Sequence, residues 1–97
     1  MSKARMTKSS GNVFLDLGFE PEEAMVLALR SQLIAELRLL IERNDWTQVQ
    51  AAKALGVTQS RISDLNRGKW EKFSLDMLLT LAARAGLQPQ IKLRSAA

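Results

Sequence analysis

The sequence contains no cysteine and no histidine. Without cysteine there is no disulfide framework and no thiolate metal site. Without histidine the commonest general base and the commonest metal ligand are both missing. Serine, aspartate and glutamate are present, but no spacing pairs them into a recognisable catalytic set. A glycine-rich phosphate loop is absent too. These gaps argue against an enzyme, a metal site or a cofactor. No apolar run approaches the roughly 20 residues that a membrane span requires. The start, Met-Ser-Lys-Ala-Arg-Met-Thr-Lys, has a basic end but no apolar stretch of signal-peptide length after it. A soluble cytoplasmic protein without a membrane partner is expected.

What is present suffices for one domain. A chain of 97 residues supports a modest core, yet is small enough for self-association to matter for stability. The net charge of +4 is a poor guide to partners, but its distribution says more. Residues 43–72 carry Arg43, Lys53, Arg61, Arg67, Lys69 and Lys72 against Asp45, Asp64 and Glu71, a net +3. Residues 9–36 carry only Arg30 against Asp16, Glu20, Glu22, Glu23 and Glu36, a net −4. The basic bias falls on one central stretch, where phosphate contacts are expected.

That stretch, residues 47–68, reads as a helix-turn-helix. Thr47 caps a short helix running to about Leu55. Gly56 follows the last apolar residue, where a left-handed backbone ends a helix without steric cost. Val57 turns back into the core, and Thr58 caps a second helix that ends near Asn66, with Gly68 beyond it. Ala52 is small where the helices must cross. Leu55, Val57, Ile62 and Leu65 are the apolar set that joins them. Helices under about 12 residues are marginal in water, so this packing is required. Gln59, Ser60, Arg61, Ser63 and Asp64 then have no place in the core. They are the side chains a recognition helix directs at base edges. An ordinary helical hairpin would share the glycine and the wet surface. It would not demand the cap, small residue, glycine and apolar sites at these offsets.

The segment TQVQAAKALGVTQSRISDLNRGKW resembles the helix-turn-helix of the Xre/lambda-repressor-like family. The continuation EKFSLDMLLTLAARAGLQPQIKL narrows the likeness to HigA-like antitoxins, small repressors encoded beside a RelE/HigB-type toxin. The resemblance covers residues 13–93. It implies an all-α, lambda-repressor-like domain of the five-helix type, and a cognate toxin as partner. In family terms Gln59, Ser60, Ser63 and Asp64 match base-facing positions. Arg61 sits in a slot that faces either base or backbone. Asp64 departs from the more usual neutral or basic residue; it accepts from a cytosine amino group, pairs with Arg61 or Arg67, or is solvated.

Along the chain, residues 1–12 hold almost nothing to bury and read as a mobile arm, either a basic tail for DNA or a partner, or a frayed terminus. Residues 13–97 form the single domain. Val13, Phe14, Leu15, Leu17 and Phe19 make an apolar cluster that is costly to leave in water. It either folds back on the domain or docks another protein; the resemblance implies toxin docking outside the DNA-reading helices. Pro21, Glu22 and Glu23 suit the start of a long helix to about Asn44, with a break near Ser31 left open. Val26, Leu29, Leu33, Leu37, Leu40 and Ile41 recur at helical steps as its inner stripe. Further apolar residues, Met25, Leu27, Ile34 and Leu39 among them, widen that surface toward a dimer interface. Trp46 staples the entry to the first motif helix, and Trp70 forms a lid on the core. Ser74 caps the last helix, residues 75–85, with Met77, Leu78, Leu81 and Ala82 inward and Phe73 stapled to Leu78.

The tail changes period. Leu87, Pro89, Ile91 and Leu93 alternate with polar residues, as in a half-buried strand over 87–93. A single strand needs a partner for its ladder groups. Pairing with the same strand of a second copy supplies one and gives a two-fold homodimer; the alternative is an extended tail lying on the domain. Such a dimer places two recognition helices about 34 Å apart on an inverted-repeat double-stranded DNA operator. Gln59 pairs with adenine and Arg61 with guanine in that arrangement. Thr47, Gln48, Thr58, Asn66, Arg67 and Lys69 are the expected phosphate contacts, with Gln48 also bracing Gln59. Three functions are consistent with these residues: an autoregulating antitoxin, a stand-alone or phage-type dimeric repressor, and an interaction module that no longer reads DNA.

Overall fold

The computed structural model describes residues 11–95. Most of the expected arm therefore lies outside the described residues. Asn12, at the arm's end, belongs to the fold. Its side chain accepts from the Phe14 N–H at 2.9 Å and donates to the Ala24 carbonyl at 3.1 Å. It thereby caps a one-turn helix, α1 (Val13–Asp16), and ties that helix to the next.

α2 (Pro21–Arg43) is the long spine of the molecule. Proline opens it, where a missing N–H costs nothing, and Glu22 and Glu23 face its positive end. It runs through Ser31 without a break. It stops at Asn44 and Asp45. The Asn44 side chain donates to the Leu40 carbonyl at 2.9 Å, and the Trp46 N–H donates to the Ile41 carbonyl at 3.1 Å. Asp45 takes the left-handed conformation, φ 54°, that this closing geometry requires. Three shorter helices follow: α3 (Gln48–Leu55), α4 (Gln59–Asn66) and α5 (Leu75–Arg84). A 3-10 turn, Trp70–Lys72, joins α4 to α5. Among the described residues the fold is all-α.

The main core gathers Ile34, Leu37 and Ile41 of α2 with residues of α3, α4 and α5, and Phe73 closes it. Phe73 and Leu78 share this core, as the staple across the Ser74 cap requires. A smaller cluster holds Phe14, Ala24 and Leu27. There Phe14 meets the edges of Phe19 and Trp70, with ring centroids 5.9 and 5.4 Å away. Trp70 packs against both clusters and joins them. It bridges where a simple lid was expected.

Three expectations are corrected. The buried line of α2 is Ala24, Leu27, Ile34, Leu37 and Ile41. Of the expected stripe, Leu37 and Ile41 are on it, Leu29, Leu33 and Leu40 are half-buried at its edge, and Val26 is exposed. Apolar residues lie on most sides of this helix, so periodicity could not single out a face; contacts with Phe14 and with α4 and α5 did. Met77, expected inside, is exposed on α5. Residues 87–95 form no strand. After the Leu87 N–H donates to the Ala82 carbonyl at 2.9 Å, Gln88 to Arg94 make no backbone hydrogen bond. A ladder needs a second strand, and none exists among the described residues. Leu87, Pro89, Ile91 and Leu93 are accordingly exposed.

Candidate nucleic-acid interface

α3 begins with a reciprocal cap. The Thr47 hydroxyl accepts from the Gln50 N–H at 3.1 Å, and the Thr47 N–H donates to the Gln50 side chain at 2.9 Å. Two helix-end donors are satisfied at once. α3 ends at Gly56, φ 70° and ψ 37°, and the Val57 N–H then donates to the Ala52 carbonyl at 3.0 Å. The chain reverses within these residues. Thr58 opens α4 by accepting from the Arg61 N–H at 3.2 Å. Each helix is 8 residues long, too short to persist alone. Burial of Ala51, Ala52, Leu55, Ile62 and Leu65 holds them.

A further clasp comes from α5. Arg84 donates to the carbonyls of Leu55 and Gly56 at 3.2 and 3.3 Å. It satisfies acceptors that every helix end leaves open and places a cation at the negative end of α3. Arg84 was not anticipated. Its partners lie 28 and 29 residues away, so no local pattern announces it. Gln50 was also missed, although Thr-x-x-Gln is the capping-box spacing and was readable.

With the apolar side of α4 committed to the core, its other side faces solvent. Gln59 and Ser60 are exposed at the N-terminal end, and Ser63 is half-buried. Thr47, Gln48, Thr58, Asn66 and Arg67 are exposed around them, and Lys69 is half-buried. The Thr47 and Thr58 oxygens accept cap bonds, which leaves each hydroxyl proton available to a phosphate. Arg61 and Asp64 are placed differently. Arg61 Nη1 lies 3.4 Å from Asp64 Oδ2, and its guanidinium carbon lies 5.7 Å from the centroid of the Phe73 ring. Both sit on the flank of α4 that faces the Trp70–Phe73 turn.

The expected docking cluster divides. Phe14 is buried and Phe19 half-buried, which takes both out of any exposed surface. Val13, Leu15 and Leu17 remain exposed. Leu15 and Met25 face the tail across a groove of about 1160 Å³ that Ile91 and Leu93 also line.

The arrangement defines a class: a helix-turn-helix DNA-binding regulator, with a cradled second helix presenting a polar side next to basic flanks. The sequence model of a family described as a helix-turn-helix domain matches residues 13–94, and the chain belongs to that family. No curated protein and no solved structure gave a match. No helix among the described residues is long and apolar enough to cross a membrane.

Proposed function

We propose that this protein is a transcriptional repressor that reads an inverted-repeat operator as a homodimer, and that it serves as the antitoxin of a HigB/RelE-type toxin. The observation that carries the DNA reading is the exposed, polar N-terminal end of α4, where Gln59 and Ser60 stand clear of the core and the half-buried Ser63 follows one turn on. Amide and hydroxyl groups there suit base edges in a major groove. Thr47, Gln48, Thr58, Asn66, Arg67 and Lys69 frame them as phosphate contacts.

Dimerisation is supported by the tail. Gln88 to Arg94 leave their backbone groups without a hydrogen-bond partner beside the exposed side chains of Ile91 and Leu93. Such an edge is a template for another strand. The toxin reading is supported by the HigA-like pattern of residues 47–93 and by exposed Val13, Leu15 and Leu17, which lie outside the helix-turn-helix in the chain.

The deciding experiment titrates the purified protein against the DNA upstream of its own gene at two salt concentrations, beside a random duplex. Selective, salt-sensitive binding by two protomers per site is expected. Equal weak binding to both duplexes would leave the motif as a scaffold. A stable complex with a small basic protein encoded next to it is the expected sign of the antitoxin role; a tight operator complex with no such partner would make it a stand-alone regulator.

A further inference from the structure

We propose that Asp64 sets the selectivity of this reader by holding Arg61 away from the base-facing surface. The proposal rests on the DNA-binding reading above.

An arginine near the tip of a recognition helix is an indiscriminate asset. Its charge attracts any phosphate, and its fork pairs with any accessible guanine. Here Arg61 is engaged from two sides. Asp64, one turn along α4, lies 3.4 Å away. The Phe73 ring lies beneath the guanidinium at cation–π distance, 5.7 Å. Phe73 is 2% exposed and belongs to the main core, so it is a fixed platform. The Arg61 side chain is 44% exposed and that of Asp64 only 18%. An exposed ion pair alone holds little, because solvent screens it. The ring adds a second attachment in the same direction.

The consequence concerns charge. Paired, Arg61 and Asp64 add no net charge to the reading surface. The outward side chains Gln59, Ser60 and Ser63 are then all neutral. Neutral groups gain from DNA only when their hydrogen bonds match the bases. Asp64 thus withholds a phosphate attraction common to every sequence and, at unmatched sites, the guanine pairs that a free Arg61 would form there, and the second of these raises selectivity. Asp64 is assigned here as a positioning residue, and Arg61 as the charge it withholds.

The test compares wild type, Asp64→Asn, Arg61→Ala and the double variant on the upstream duplex and on a random duplex of equal length, across a salt series. Asparagine keeps the shape and removes the charge. Asp64→Asn is expected to bind random DNA more tightly, with a salt slope steeper by about one unit, and to lose about tenfold in selectivity. In the double variant the extra slope is expected to vanish, because the released cation is gone. A different result overturns the proposal: Asp64→Asn weakening only the upstream duplex, with the loss confined to one cytosine position, would make Asp64 a direct base reader. An unchanged slope and an unchanged ratio would overturn it as well. Failure of the DNA reading itself shows separately, as a wild-type protein that does not discriminate the two duplexes at all. Thermal melting of each variant distinguishes these outcomes from loss of fold.

Discussion

Gly56 shows how much one residue decides. Its φ of 70° is a conformation that a side chain makes costly, and a Cβ there would stand 3.1 Å from the Arg84 guanidinium. Arg84 can move aside, but only by giving up its bonds to the Leu55 and Gly56 carbonyls. Gly56→Ala is expected to cost about 1–2 kcal/mol, read as a lower melting temperature. An unchanged melting temperature would mean the turn relaxes. Gln59→Ala tests a residue with no packing role. It is expected to cost about 1–3 kcal/mol on the operator and to relax one base position, with the melting temperature unmoved. Equal loss on random DNA would remove Gln59 from the base readers. At this scale much was legible. Thr47, Gly56 and Thr58 obey local rules of capping and backbone conformation, and they stand where those rules put them. The direction of the Arg61 side chain was not legible. It depends on Phe73, which reaches α4 only through the fold.

Among the elements, α3 and α4 were readable because caps and a glycine mark their ends within a few residues. The ends of α2 were readable too, from Pro21 to the Asn44–Asp45 stop, but a break near Ser31 stayed open until the structure showed one continuous helix. Which way α2 faces was not readable. A helix with apolar residues on most sides is stable in several rotations, and the neighbours choose one. α1 is a single turn held by Asn12 and by burial of Phe14, and four residues carry no periodicity to detect. The caps suggest a direct check. Thr47→Ala removes the hydroxyl that accepts from the Gln50 N–H and keeps the backbone N–H that donates to the Gln50 side chain, so half of the reciprocal cap is lost. The expected cost is about 1 kcal/mol, a fall in melting temperature of about 4–8 °C for a domain of this size. A fall no larger than that of an exposed control such as Lys53→Ala would show that the cap adds nothing to α3.

On the scale of the molecule, the helix-turn-helix and the apolar groove beside the tail are separate surfaces, and Lys92 and Arg94 line the groove with its apolar residues. The cations of residues 43–72 lie in and beside α3 and α4 along the chain, while Glu20, Glu22 and Glu23 mark the start of α2. Val13, Leu15, Met25, Ile91 and Leu93 are exposed, and Leu15, Met25, Ile91 and Leu93 line one groove. This is the surface on which self-association and a protein partner are proposed. Ile91 is 53% exposed in the single chain, so Ile91→Asp should leave the domain folded. It is expected to convert a dimer to a monomer by light scattering and to weaken operator binding far more than random-DNA binding. A wild-type protein that is monomeric at tens of micromolar, or a variant that stays dimeric, would remove the tail from the interface.

By itself the sequence determined the helical class, the ends of the four longer helices and the position of the helix-turn-helix, because caps, glycines and apolar spacing act over a few residues. Only the tertiary structure decided the buried face of α2, the split of the 13–19 cluster into core and surface, the Arg84 clasp and the Arg61–Asp64–Phe73 contact. Each of these joins residues distant in the chain or chooses among side-chain directions that local spacing leaves equivalent. The tail belongs to neither account alone. Its alternating pattern is written in residues 87–93, but a strand exists only when a second backbone completes its hydrogen bonds.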